Sequence, residues 1–151
     1  MRRLFALLPL VLVALLAGCS SESPFVPTIE SANFAPSLGV DLAASTKTAS
    51  GLYYRDIVVG NGTQMPATGE KTVTVNYAGY LRNGVKFDDG SAVSFNTAGL
   101  IAGFNEGLRG MKLGGQRQLI IPPALGYGSA GTSGIPGNSI LVFNITLLGV
   151  N

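Results

Sequence analysis

The sequence predicts an α+β domain over residues 51–151, an antiparallel β-sheet with one short helix. Two alternating stretches and one helical stripe carry that prediction. Thr72 to Leu81 puts Val73, Val75 and Tyr77 on one face and Thr72, Thr74 and Asn76 on the other, then meets Asn83-Gly84, the strongest short hairpin signal. Ser139 to Leu148 repeats the pattern, with Phe143, Ile145 and Leu147 opposite Asn144 and Thr146. Between them Leu100, Ile101, Phe104 and Leu108 fall at i, i+1, i+4 and i+8, one face of a short helix.

Taken in order, the chain opens with Met1-Arg2-Arg3, the apolar run Leu4 to Ala17, and then small residues, the arrangement of an export signal over residues 1–18. A membrane-spanning helix needs roughly 20 apolar residues. This run is shorter and contains Pro9, so a cleaved signal is expected. Leu16-Ala17-Gly18-Cys19 resembles a bacterial lipobox, whose cysteine becomes the lipidated first residue. That implies a membrane partner through a lipid anchor at Cys19, on the periplasmic face, with Ser20 favouring the outer membrane over inner-membrane retention. The alternative is an ordinary signal peptide with an incidental cysteine. Ser20 to Ser50 holds Pro24, Pro27 and Pro36 and only scattered apolar residues, so residues 19–50 read as a lipidated cysteine and a mostly disordered spacer. The alternative there is that Phe34 to Leu42 packs on the body.

In the body, Leu52 to Val59 is a strand closed by Gly60-Asn61-Gly62. After the hairpin turn, Val85 to Asp88 is the returning strand and Val93 to Phe95 a further extended piece. Gly103 and Gly107 weaken the helix that follows, so tertiary packing must hold it. Gln116 to Ile121 is the next strand and Ser139 to Leu148 the last.

Composition narrows the chemistry. The chain has no histidine and one cysteine, which removes Ser-His-Asp and Cys-His nucleophile arrangements, His-ligated zinc and any intramolecular disulfide. Ten basic residues stand against eight acidic, and Arg2 and Arg3 account for the excess, so there is no basic footprint for nucleic acid. Gly126-Tyr127-Gly128-Ser129-Ala130-Gly131 matches a dinucleotide fingerprint only formally, because Pro122-Pro123 precedes it and no helix pattern follows. Asp88-Asp89-Gly90 lacks the further carboxylates of a calcium loop. No cofactor or metal is expected.

A co-linear series of motifs runs along the body: Val75-Asn76-Tyr77-Ala78-Gly79, Asn83-Gly84-Val85-Lys86-Phe87-Asp88, Gly103-Phe104-Asn105-Glu106-Gly107-Leu108, Met111-Lys112-Leu113-Gly114, Pro123-Ala124-Leu125-Gly126-Tyr127-Gly128, Ile135-Pro136 and Leu141-Val142-Phe143. The series closely resembles the FKBP family of peptidyl-prolyl cis/trans isomerases, and the signal and spacer resemble those of its membrane-anchored bacterial members. The resemblance implies a bent antiparallel sheet wrapped around one short helix, with a proline pocket between them. It implies catalytic positions at Tyr77, Phe87, Asp88, Ile101, Phe104, Tyr127 and Phe143, and substrate-binding positions at Leu100, Val93 and Ile135. In that assignment the aromatic rings form the walls and floor, the Ile101 N–H and the Tyr127 hydroxyl are donors, and Ile135 lies in a covering loop. Phe104 stands where the family often has tryptophan, Val93 replaces a bulkier aromatic, and no arginine follows to pair with Asp88. The implied partners are proline-containing polypeptides and, as pocket ligands, macrolides.

The chemistry suits a chain without a nucleophile. Rotation about X-Pro meets a barrier of about 18–20 kcal/mol because amide resonance is broken, while the end states differ by about 0.5–1 kcal/mol. No bond is made or cut. The twisted amide loses charge separation, so a dry apolar slot with fixed donors favours it over the planar ground state. A proline-binding chaperone or adaptor without catalysis, and a purely structural envelope lipoprotein, are the rival expectations.

Overall fold

The computed structural model describes residues 26–151. Six strands form one sheet: β1 (Thr46–Lys47), β2 (Tyr53–Val58), β3 (Thr72–Leu81), β4 (Lys86–Asn96), β5 (Gln116–Ile121) and β6 (Leu141–Val150). The helix α1 (Ala102–Leu108) follows β4. Strand order is β1-β2-β5-β6-β3-β4, and every recorded pairing is antiparallel.

Alternation decides which side chains face the helix. Val73 and Val75 on β3, Leu119 and Ile121 on β5 and Ile145 and Leu147 on β6 are buried with Phe104 and Leu108 of α1 in one core. The helix lies close enough to the sheet that its two glycines are required by space. A Cβ on Gly103 would stand 2.5 Å from Ile121 Cγ2, and one on Gly107 2.3 Å from Leu119 Cδ1. The residues that lower helix propensity therefore permit the contact that holds the helix.

Two extended pieces expected at Val85–Asp88 and Val93–Phe95 are one eleven-residue strand, β4. Bulges break its regularity: the pairing with β3 shifts between Val75 and Tyr77 and again between Gly79 and Tyr80. At the first shift Ala92 takes φ 53°, and its N–H donates to Asn76 Oδ1 at 2.7 Å. Turn-like Asp89-Gly90 lies inside the strand in regular register, opposite Ala78 and Tyr77, between the two shifts.

The spacer expectation requires correction for residues 26–50, which pack on the outer face of the sheet as the Phe34–Leu42 alternative anticipated. Ile29 and Leu38 are buried against Tyr53, Ile120 and Val142, with Phe34, Val40 and Leu42 at the margin. Polar ties fix the segment: Gln118 Nε2 donates to the Leu38 carbonyl (2.8 Å), Arg55 to the Gly39 carbonyl (2.8 Å), and the Ala35 N–H to the Arg82 carbonyl (2.8 Å). β1 pairs along β2. The segment is ordered without periodicity because it follows the apolar outer face of another element. The export signal expected over residues 1–18 and the lipidation expected at Cys19 lie outside the described residues.

Candidate functional site

Between the sheet and the N-terminal end of α1 lies a cleft of about 270 Å³. Tyr77 of β3, Phe104 of α1 and Phe143 of β6 meet in it from three elements. Phe104 stands edge-on to Phe143 (centroids 5.1 Å apart, planes at 87°) and to Tyr77 (6.1 Å, 89°). Phe95 completes the wall, 5.7 Å from Tyr77. These edge-to-face contacts suit the ring quadrupoles and hold each ring by its neighbours.

The β4 bulges place the polar group. Asp88 is paired with Gly79 on β3, two residues from Tyr77 on the same face, and the Tyr77 hydroxyl donates to Asp88 Oδ2 at 2.9 Å. Burial, reinforced by that hydrogen bond and the Asp88 charge, pushes the Tyr77 phenol from 10.0 up to about 12. The phenol is therefore a standing donor at neutral pH. Gly79 lets the aromatic layer close over β3, since a Cβ there would meet Phe143 Cε1 at 2.6 Å and Phe87 Cζ at 2.7 Å.

The far rim is shaped by turns. Thr97 is fully buried, its hydroxyl accepting from the Lys71 N–H (3.1 Å) and its own N–H donating to the Lys71 carbonyl (2.9 Å). Asn96 Oδ1 accepts from the Ala98 N–H at 2.8 Å. This short 3-10 turn delivers Leu100 and Ile101 to the cleft and starts α1 at Ala102. Among the described residues no protein acceptor is recorded for the Ile101 N–H. Tyr127 enters from the loop after β5, 37% exposed, on a turn tied by Gly128 N–H to Pro123 O and by Gly131 N–H to Tyr127 O.

Of the ten sequence-assigned pocket positions, Tyr77, Asp88, Leu100, Ile101, Phe104, Tyr127 and Phe143 line the cleft. Three do not. Phe87 packs edge-on against Phe143, 5.5 Å away, with both rings over Gly79. Val93 packs over Gly90 beside the Tyr77 ring, and the wall assigned to it is made by Phe95, two residues on and on the same strand face. Ile135 is buried in the main core, pinning the loop that carries Tyr127. The missed wall residue was legible as the end of an alternating Val93-Ser94-Phe95 piece, but which of its two apolar residues reaches the cleft was not.

A six-stranded antiparallel sheet over one short helix, enclosing an aromatic cleft with a phenol–carboxylate pair, has the form of a site for a small apolar group. The family model of the FKBP-type peptidyl-prolyl cis-trans isomerase matches residues 62–148. The chain belongs to that family. It is 47% identical over 109 residues to the FKBP-type peptidyl-prolyl cis-trans isomerase FkpA of Escherichia coli K12, covering 69% of this chain and 40% of that protein. It is 42% identical over 109 residues to a probable FKBP-type isomerase of Haemophilus influenzae, covering 69% and 44%. The chain thus spans less than half the length of these relatives. Among solved structures, E. coli FkpA superposes with a TM-score of 0.66 at 42% identity, covering 72% of this chain and 52% of that one. A peptidyl-prolyl isomerase of Pseudomonas syringae does so with 0.66 at 30% identity, covering 72% and 81%.

Proposed function

We propose that the chain catalyses cis/trans isomerisation of X-Pro bonds in the aromatic cleft and thereby assists folding of exported proteins. One observation carries this reading: five aromatic side chains, Tyr77, Phe95, Phe104, Tyr127 and Phe143, line a small cleft in which the Tyr77 phenol donates to the Asp88 carboxylate. The proline ring enters between Tyr77, Phe104 and Phe143, where water is displaced. The Ile101 N–H and the Tyr127 hydroxyl hold carbonyl oxygens at the rim, so the amide nitrogen turns in an apolar medium that favours its loss of resonance. Phe87 and Ile135, which do not line the cleft, act by fixing Phe143 and the Tyr127 loop.

The test is NMR exchange on a blocked Ala-Leu-Pro-Phe peptide with catalytic amounts of the full-length protein. Faster interconversion that a macrolide ligand suppresses supports the reading. Peptide binding without acceleration would instead make the cleft a proline-segment adaptor.

We propose also that Cys19 carries a lipid anchor and that the protein is held at the periplasmic face of the envelope, the outer membrane being favoured. The support is the order Arg2-Arg3, apolar run, Leu16-Ala17-Gly18-Cys19-Ser20. Membrane fractionation of wild type against Cys19→Ser tests it: loss of membrane association in the variant is expected, and unchanged association refutes the anchor.

A further inference from the structure

We infer that the face carrying Val26, Lys47 and Ala124 lies against the lipid bilayer, because the chain between the anchor and the folded body is too short to turn the opposite side to it. The inference rests on the Cys19 lipid-anchor reading above and names the surface that meets the membrane.

The packing of residues 26–50 shortens the leash. A spacer running from Cys19 to Ser50 would reach about 100 Å at roughly 3.3 Å per residue and leave the body free to turn. Residues 26–50 instead pack on the sheet through Ile29 and Leu38, so only the seven peptide links from Cys19 to Val26 join the anchor to the body. However those links are arranged, they span at most about 25 Å. A body of this size is about 35 Å across. With the acylated Cys19 held at the headgroups, turning the opposite side to the bilayer would lift Val26 beyond the reach of the leash.

Where the leash arrives, the surface presents apolar groups. Val26, 47% exposed, borders a groove of about 340 Å³ with Pro27, Ile29, Pro123 and Ala124. The two charged residues of the groove, Lys47 and Glu30, pair with each other, so the face carries no net charge to hold it off an anionic bilayer. Strand order puts β1, which carries Lys47, at one edge of the sheet and β4 at the other, five strand spacings or about 24 Å away. Tyr127 of the cleft is three residues beyond Ala124 and so within about 11 Å of it along the chain, which brings the cleft close to the lipid.

The experiment places the lipidated mature protein in nanodiscs of phosphatidylethanolamine and phosphatidylglycerol that contain a gadolinium-chelating headgroup lipid, and reads the broadening of backbone amides by NMR. Across about 24 Å, broadening at Val26, Lys47 and Ala124 should exceed that at Ser91 and Ser94 of β4 by at least about tenfold. Inserting about thirty Gly/Ser residues between Ser23 and Pro24 lengthens the leash severalfold and should remove the contrast. Equal broadening at the two edges of the wild type, stronger broadening at β4, or a contrast that the insertion leaves unchanged overturns the inference. Nuclear Overhauser contacts from Phe25 to Ala124, found together with equal broadening, would assign the groove to the chain itself instead of to lipid. If the wild-type protein is absent from the membrane fraction, it is the anchor reading that fails. The chain from Cys19, coupled through its then free thiol to a maleimide headgroup lipid, gives the same readout and decides the face by the same criteria.

Discussion

At the scale of single residues the cleft depends on a phenol kept neutral. Tyr77 is raised from 10.0 to about 12, chiefly by burial and then by its bond to Asp88, so the folded state favours the protonated form. The stabilisation this gives is complete below pH 10 and is lost as pH climbs through about 12. Alkaline absorbance titration should show the late-titrating tyrosines of wild type, Tyr77 and Tyr53, reduced by one in Tyr77→Phe. That variant keeps the ring and removes the hydroxyl, so it should fold and lower kcat/KM by up to about tenfold, the range of one net hydrogen bond. Unchanged kinetics would show that the Tyr77–Asp88 bond has no part in the rate. Tyr77, Phe104 and Phe143 were readable at this scale because each follows a periodic pattern in a co-linear motif. The displacement of Val93 by Phe95 was not, since the two share a strand face and only their place along β4 relative to the cleft separates them.

At the scale of elements the seven-residue helix stands on outside support. Arg117 of β5, 7% exposed, donates Nε and Nη2 to Asp56 at 2.7 and 3.0 Å and Nη1 to the Gly107 and Arg109 carbonyls at 2.9 Å each, with its guanidinium over the Tyr54 ring. One side chain thus satisfies carbonyls at the end of α1 and ties them to β2 and β5. Arg117→Leu should cost about 2–4 kcal/mol in urea unfolding, since it orphans two carbonyls and a partly buried carboxylate. Gly107→Ala should also destabilise, by about 1–3 kcal/mol, although alanine is the better helix former. The methyl would stand 2.3 Å from Leu119 Cδ1, and the packing cost exceeds the propensity gain. A stabilised variant would mean that α1 shifts freely on the sheet.

At the scale of the whole molecule the least legible part of the sequence is the covering segment 26–50, and the reason is physical. Helices and strands announce themselves by their own period, whereas this stretch takes its shape from the surface beneath it. The signal lay in its partners: Leu119-Ile120-Ile121 and Ile140-Leu141-Val142-Phe143 abandon alternation, as strands buried on both faces do. Those outer positions, Ile120 and Val142, are at 0% exposure only because Ile29 and Leu38 cover them. The segment is latched where Glu30 accepts from Lys47 and from the Tyr53 hydroxyl, and these bonds, Lys47 first, lower Glu30 from 4.5 to about 2. The carboxylate form is thereby favoured in the folded state, so the latch contributes fully above pH 4.5 and is lost as pH falls towards 2. Amide exchange should therefore rise in residues 26–50 on acidification before it rises in the sheet, and Glu30→Gln should flatten that dependence. Deleting residues 1–50 should lower stability by about 2–4 kcal/mol, the burial of two aliphatic side chains and their partners less the entropy of ordering the segment. Because the cleft lies on the opposite face of the sheet, the truncated protein should keep its peptide affinity at low temperature while binding an apolar dye. Loss of affinity in a truncated protein that remains folded would show that the cover, through the Ser50–Glu106 contact at 2.8 Å, holds α1 in the position the cleft needs.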